Sequence, residues 1–116
     1  MSAGKKDFII EQGATFSKVL TWKDSAGAAI NLTGYTARMH VRTDIDAATP
    51  FLQLTTENSR IALGGVAGTI TLTISATDTA AITNTSGVYD LELVSGAGVV
   101  TRLLEGNIII TKEVTR

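Results

Sequence analysis

The chain has 116 residues, a net charge of -1, 44% hydrophobic residues and no cysteine. That length suits one domain with a two-layer core, and the missing cysteines exclude disulfides, cysteine-ligated zinc and thiol nucleophiles. A near-neutral chain gives no electrostatic basis for binding nucleic acid or an anionic membrane, and no apolar run approaches the ~18 residues that cross a bilayer.

Residues 1–6 are small and polar, which predicts a flexible N-terminal arm ahead of a single domain over 7–116. After Lys5 and Lys6 only Phe8-Ile9-Ile10 is apolar, short of the about 7–15 residues of a signal-peptide core. Those three residues predict the first strand. Glu11-Gln12-Gly13-Ala14 reads as a turn. Phe16 to Lys23 predicts a second strand with Phe16, Leu20 and Trp22 on one face and Lys18 at its rim, its stem packed and its ammonium in water. Asp24-Ser25-Ala26-Gly27 is a hairpin-type turn, Ile30-Asn31-Leu32 a brief pairing segment, and Thr33-Gly34 a turn into the strand Tyr35 to Arg42.

In that strand Tyr35, Ala37, Met39 and Val41 alternate with Thr36, Arg38, His40 and Arg42, the period of two that marks a half-buried strand. Gly87 to Val94 answers it: Tyr89, Leu91 and Leu93 point one way, Asp90 and Glu92 the other. As neighbours, the bases of one strand and the acids of the other would form cross-strand pairs, each worth ~0.2–1 kcal/mol. Between them, Thr43 to Pro50 is a polar loop, Phe51 to Leu54 a short edge strand, Arg60 to Leu63 another strand, and Gly64 to Gly68 a flexible turn. Thr69 to Ser75 is strongly amphipathic. Ser75, followed three residues later by Asp78, signals a helix start, and a short helix is expected over 76–82. Ser95 to Gly98 turns the chain into Val99 to Glu105; Gly106-Asn107 predicts a bulge or turn, and Ile108 to Val114 the last strand.

Many short strands with one helical turn predict an all-β fold, an antiparallel immunoglobulin-like β-sandwich, with an open barrel as the other architecture. Gly87-Val88-Tyr89-Asp90-Leu91 resembles the tyrosine-corner pattern of immunoglobulin-like domains.

No catalytic motif is present. His40 is the sole histidine, too little for a triad or a metal site. Asp44 and Asp46 fall short of the six to eight oxygens that calcium takes. Gly64 to Gly68 lacks the Gly-Lys-Ser/Thr ending of a phosphate loop. Asp90 and Glu92, roughly ~7 Å apart along a strand, lie within the range of paired-carboxylate chemistry, but nearby bases account for them. No enzyme activity, cofactor or metal is expected. Contact surfaces remain: Phe8, Ile9, Ile10 and Ile109 near the termini, where three adjacent isoleucines cannot all face one core, and the basic stripe Arg38, His40 and Arg42. These seven residues are the candidate interface. The terminal strands are either fully buried or covered along an edge by a partner.

Several stretches resemble small structural proteins encoded by tailed bacteriophages: residues 8–16, Leu20-Thr21-Trp22-Lys23-Asp24, residues 30–39, residues 87–93 and residues 100–106. A strand-rich module with related motifs is similar to the N-terminal immunoglobulin-like module of phage baseplate upper proteins. The resemblance implies a virion protein assembled in the host bacterial cytoplasm, acting as a tail or baseplate adaptor that joins the tail to tail fibres. Its partners would be other virion proteins, in multiple copies, with no nucleic acid and no membrane. The chain departs from that pattern in size, ending where a baseplate protein continues into a fibre or linker, which predicts a stand-alone adaptor. Two alternatives are a capsid or head–tail connector decoration protein and a carbohydrate-binding module in host adsorption. The latter would use Trp22 or Tyr35, which the strand pattern turns inward.

Overall fold

The structure, a computed structural model, describes residues 4–115. Its elements are β1 (Gly4–Lys5), β2 (Phe8–Glu11), β3 (Phe16–Thr21), β4 (Thr36–Arg42), β5 (Leu52–Thr55), β6 (Ile61–Leu63), β7 (Thr69–Ile74), α1 (Ala76–Ala80), β8 (Ser86–Val94) and β9 (Val100–Thr111). One sheet runs β1-β9-β8-β4-β5, with β2 also on β9; the other runs β3-β7-β6. Their facing sides share one apolar core, in which Met39, Leu91, Leu93 and Ile108 meet Ile70, Leu72 and Ile74. This is an immunoglobulin-like sandwich, not a barrel. β3, β7 and β6 take the B, E and D places, while β4, β8 and β9 take C, F and G. The N-terminal strand lies beside the last strand, in parallel.

The alternation of the central strands is realised as the sequence predicts. Ala37, Met39 and Val41 of β4 and Tyr89, Leu91 and Leu93 of β8 are buried, and the two strands pair antiparallel. β3 ends at Thr21, and Lys18 stands opposite the buried Leu72, so its ammonium leaves the core side at the sheet's rim. The Ile30 amide bonds the Trp22 carbonyl at 2.8 Å, so the brief segment after the Asp24–Gly27 turn does pair back.

The helix has five residues, shorter than the expected 76–82. Ser75 Oγ accepts the Asp78 amide, as the capping signal implies. Arg60 donates to Asp78 at 2.8 Å and to the Gln53 carbonyl at 2.8 Å, tying α1 to β5. Thr79, fully buried, accepts the Gly13 amide at 3.1 Å and donates towards the Ala14 and Ala76 carbonyls at 2.8 and 3.1 Å. These bonds satisfy the buried Thr79 hydroxyl and tie α1 to the turn after β2.

Three expectations are corrected at the N-terminal strand and its neighbours. Residues 1–3 of the expected arm lie outside the described residues, but Gly4 and Lys5 are paired with Leu104 and Glu105. Neither the turn nor the bulge expected at Gly106-Asn107 falls there: β9 is continuous. The irregularity falls at Leu103, because Leu91 stands opposite Leu104 while Glu92 stands opposite Arg102. One extra residue on β9 reverses its alternation there. Nor does Tyr89 make a tyrosine corner, in which the hydroxyl bonds backbone a few residues upstream. Its hydroxyl instead donates to the Lys6 carbonyl at 2.6 Å, across the sheet.

This bond explains Gly106. Tyr89 faces Gly106, and Lys6 flanks Gly106 on its other side. The tyrosine ring crosses the glycine to reach Lys6, and a Cβ at 106 would collide with the Lys6 carbonyl. The turned-in carbonyl no longer serves the ladder, and the Asp7 carboxylate accepts the Asn107 amide instead, at 2.9 Å.

Tyr89→Phe is expected to destabilise by ~0.5–1.5 kcal/mol, the loss of one hydrogen bond to a carbonyl that water can reach. Gly106→Ala is expected to cost more, ~1–3 kcal/mol, because the obstacle is backbone. Urea unfolding checks both. Amide exchange should show faster exchange concentrated at Lys6 and Phe8 in either variant.

Candidate interaction face

With the core residues turned inward, the larger sheet presents the alternate side chains of five strands to solvent. The register sets them in rows. Arg38, Glu92 and Arg102 form one row; His40, Asp90, Glu105 and Lys5 the next. Arg42, Val88 and Asn107 follow, with Asp7 bonded to Asn107. Ser86, Ile109 and Ile9 close the series.

Along these rows the charges alternate and pair. Arg38 Nε meets Glu92 at 2.8 Å, Lys5 Nζ meets Glu105 at 2.6 Å, and Arg102 meets Asp90 at 3.4 Å and Glu105 at 3.9 Å. The cross-strand pairing expected between the basic and acidic strands is therefore present, and extends two strands further. Exposed pairs of this kind are worth ~0–1 kcal/mol, so they order the surface more than they hold the fold. Arg42 donates to the Ala47 carbonyl at 3.0 Å, holding the loop after β4, and lies 3.5 Å from His40 Nδ1. A depression of about 570 Å³ opens among these groups, with Ile45 and Val88 as its apolar border.

The acids differ in their surroundings. Burial pushes the Asp90 carboxyl above the usual carboxylate range; Glu92 and Glu105 add to this, while Arg102 and His40 oppose it. The Lys5 hydrogen bond holds Glu105 below that range. Burial, with the Asp7 carboxylate beside it, raises the Tyr89 hydroxyl and keeps it un-ionised.

Five of the seven candidate interface residues share this face. Arg38, His40 and Arg42 lie on β4, and Ile9 and Ile109 are register neighbours, 60% and 45% exposed. Phe8 and Ile10 are corrected: at 3% and 1% exposure they belong to the core, since a two-residue period sends them inward beside Ile108 and Ile110. Phe8 packs on Phe16 and Tyr89, with ring centroids 6.1 and 5.3 Å apart. The terminal strands are thus neither wholly buried nor wholly exposed; their middle isoleucines alone face out. Sequence reasoning missed Lys5, Asp7, Arg102 and Glu105, because their place depends on the parallel pairing of the two chain ends.

The other candidate residues stay apart. Asp44 accepts the Asp46 amide in its own loop, and among the described residues no three His, Asp or Glu side chains gather as a metal site would require. Gly65–Ala67 forms a 3-10 turn. Trp22 and Tyr35 pack edge-to-face, 6.2 Å apart at 85°, partly buried against the core.

No protein-family model and no curated protein matches the sequence. Among solved structures, the chain is similar to the extracellular domains of the voltage-gated sodium channel beta4 subunit, whose parallel homodimers are described in cell–cell adhesion. That match has a TM-score of 0.50, 11% identity and 98% coverage of each chain. A second structure, extracellular domains 3–5 of Drosophila OTK, matches with a TM-score of 0.37 and 18% identity, over 92% of this chain and 33% of that one. At such identities the first likeness speaks to the fold, and it agrees with the strand order.

Asp90→Asn should raise the melting temperature at pH 7. A carboxyl whose folded pKa lies above its unfolded value of about 3.9 binds its proton more tightly in the native state. Stability therefore falls as pH rises through the folded pKa, and the asparagine variant escapes that loss. Melting curves of the two proteins should converge at about pH 3, where Asp90 is protonated in both states. A lower melting temperature for the variant at pH 7 would show that the Arg102 contact outweighs burial.

Proposed function

We propose that this chain is a structural protein of a tailed-phage virion, assembled in the host bacterial cytoplasm. It acts as a tail or baseplate adaptor joining the tail to its fibres by protein–protein contacts, without catalysis. The observation that carries this reading is the outer face of the larger sheet. It gathers Ile9, Ile109, Arg38, His40 and Arg42 on one surface made of charge and exposed isoleucine. Such a mixture suits recognition by complementarity, where apolar contacts supply affinity and paired charges reject wrong partners. The sequence resemblance to phage structural proteins supplies the setting. An immunoglobulin-like domain of matching span, that of the sodium channel beta4 subunit, forms parallel homodimers in adhesion, so a contact role lies within the repertoire of the fold. Several copies around a tail would add modest contacts into firm attachment.

Mass-spectrometric stoichiometry on purified particles, with heads and tails separated, tests this. The protein should travel with tails, at a low multiple that matches their symmetry. High copy number on heads would replace the adaptor by a decoration protein, and absence from both fractions would overturn the virion reading. A carbohydrate-binding role would instead appear as sugar binding lost on Trp22→Ala in a protein that still folds.

A further inference from the structure

The sandwich has four outer edges, and three are closed to strand addition. On β5, the Gln53 carbonyl accepts Asn58 Nδ2 at 3.1 Å and Arg60 Nη1 at 2.8 Å, while the Thr55 amide donates to Asn58 Oδ1 at 2.9 Å. The loop that follows β5 thus occupies an outward acceptor and an outward donor of this edge. β3 carries Lys18 on the core-facing side, opposite Leu72, an inward charge that opposes edge pairing. β6 has three residues, and very short edge strands template poorly.

β2 is different. The Lys6 amide bonds the Glu105 carbonyl and the Gln12 amide bonds the Thr111 carbonyl, so the even-numbered residues serve β9. In a parallel ladder the alternate residues then direct their N–H and C=O away: Asp7, Ile9 and Glu11. The Glu11 carbonyl is used by the Ala14 amide; no group of the described residues takes the Ile9 N–H or C=O. The exposed Ile9 side chain sits beside the half-exposed Ile109, and it is flanked two residues away by Asp7 and Glu11. The Glu11 carboxylate makes no bond to any described residue.

We propose that β2 is a strand-addition site for an extended segment of another protein, one whose outward side chains read basic–apolar–basic. This rests on the adaptor reading and assigns its contact edge and partner chemistry. The apolar residue would lie against Ile9, and the two cations opposite Asp7 and Glu11, the arrangement that favours cross-strand pairs. A second copy fits poorly in the register that joins the two Ile9 side chains. Antiparallel pairing about Ile9 sets Asp7 against Glu11 twice, and like charges directly opposite are destabilising.

The test uses the full chain and the capped peptide acetyl-Thr-Lys-Thr-Ile-Thr-Lys-Thr-amide, with the analogue carrying Glu in place of both Lys. NMR titration should perturb the Asp7, Ile9 and Glu11 amides, and the lysine peptide should bind about tenfold tighter than the glutamate peptide. Ile9→Pro removes an edge N–H that the β9 ladder does not use, so it should abolish peptide binding while the domain still folds. Glu11→Lys, an exposed change, should erase or reverse the charge preference. Equal binding of the two peptides, no binding of either in the millimolar range, or an unchanged preference in Glu11→Lys overturns the proposal. So does concentration-dependent self-association that protects the Ile9 amide, which would make a second copy the occupant. Ile9→Pro protein found on tails at the wild-type copy number overturns the edge assignment and leaves the adaptor reading intact. Wild-type protein missing from particles overturns the adaptor reading whatever the peptides do.

Discussion

The Lys6 carbonyl governs how the N-terminal strand joins the sandwich. In a regular parallel ladder it would accept the Asn107 amide. Here the Asp7 carboxylate takes that donor and the carbonyl turns inward to the Tyr89 hydroxyl. The exchange needs all four residues at once: an acid at 7, a tyrosine at 89, an amide at 107 and no side chain at 106. Parallel pairing is slightly weaker per residue than antiparallel, and β1 and β2 are short, so a fixed point between them matters. From it follow the seating of Phe8 and Ile10 in the core, the pairing of Lys5 with Glu105, and the placing of Ile9 beside Ile109.

The same docking completes the outer face. Without the N-terminal strand, Glu105 would lack Lys5, and Arg102 alone would stand between Asp90 and Glu105. With it, Lys5, Arg38, Arg42 and Arg102 stand among Asp7, Asp90, Glu92 and Glu105, all on one surface. A surface so balanced has little long-range field, consistent with the chain's net charge of -1. Such a face does not steer distant ligands. Its selectivity would be exercised at contact, where a misplaced charge costs more than a matched one gains. Asp90 marks the cost of the arrangement: two other acids and partial burial outweigh the cations near it.

Legibility in the sequence followed the strength of the local pattern. β4, β7 and β8 alternate over six to nine residues, and their faces could be read directly, as could the cap at Ser75 and the charge match between Arg38 and Glu92. β9 could not be read through. The bulge at Leu103 sends Thr101 and Leu104 to the same side, so the alternation breaks and resumes, and Gly106 reads as a bulge or turn. Glycine there answers a tertiary contact, the Lys6 carbonyl, which no local pattern announces. Phe8 and Ile10 illustrate the converse. Their apolar character was plain, but whether it meant core or contact depended on which strand they joined.

Ile9 belongs to two surfaces. It ends the last row of the outer face and it centres the one edge that, among the described residues, nothing closes to strand addition. A strand added there would extend the sheet, so its outward side chains would continue the row that runs from Arg42 to Asp7 and the row of Ile109 and Ile9. The face alone offers ion pairs worth ~0–1 kcal/mol each, too little for stable attachment. The edge alone offers main-chain hydrogen bonds, which bind almost any extended segment. Joined at Ile9, the edge would supply affinity and the charges flanking it selection, a division of labour that would let one extended partner be held in preference to others.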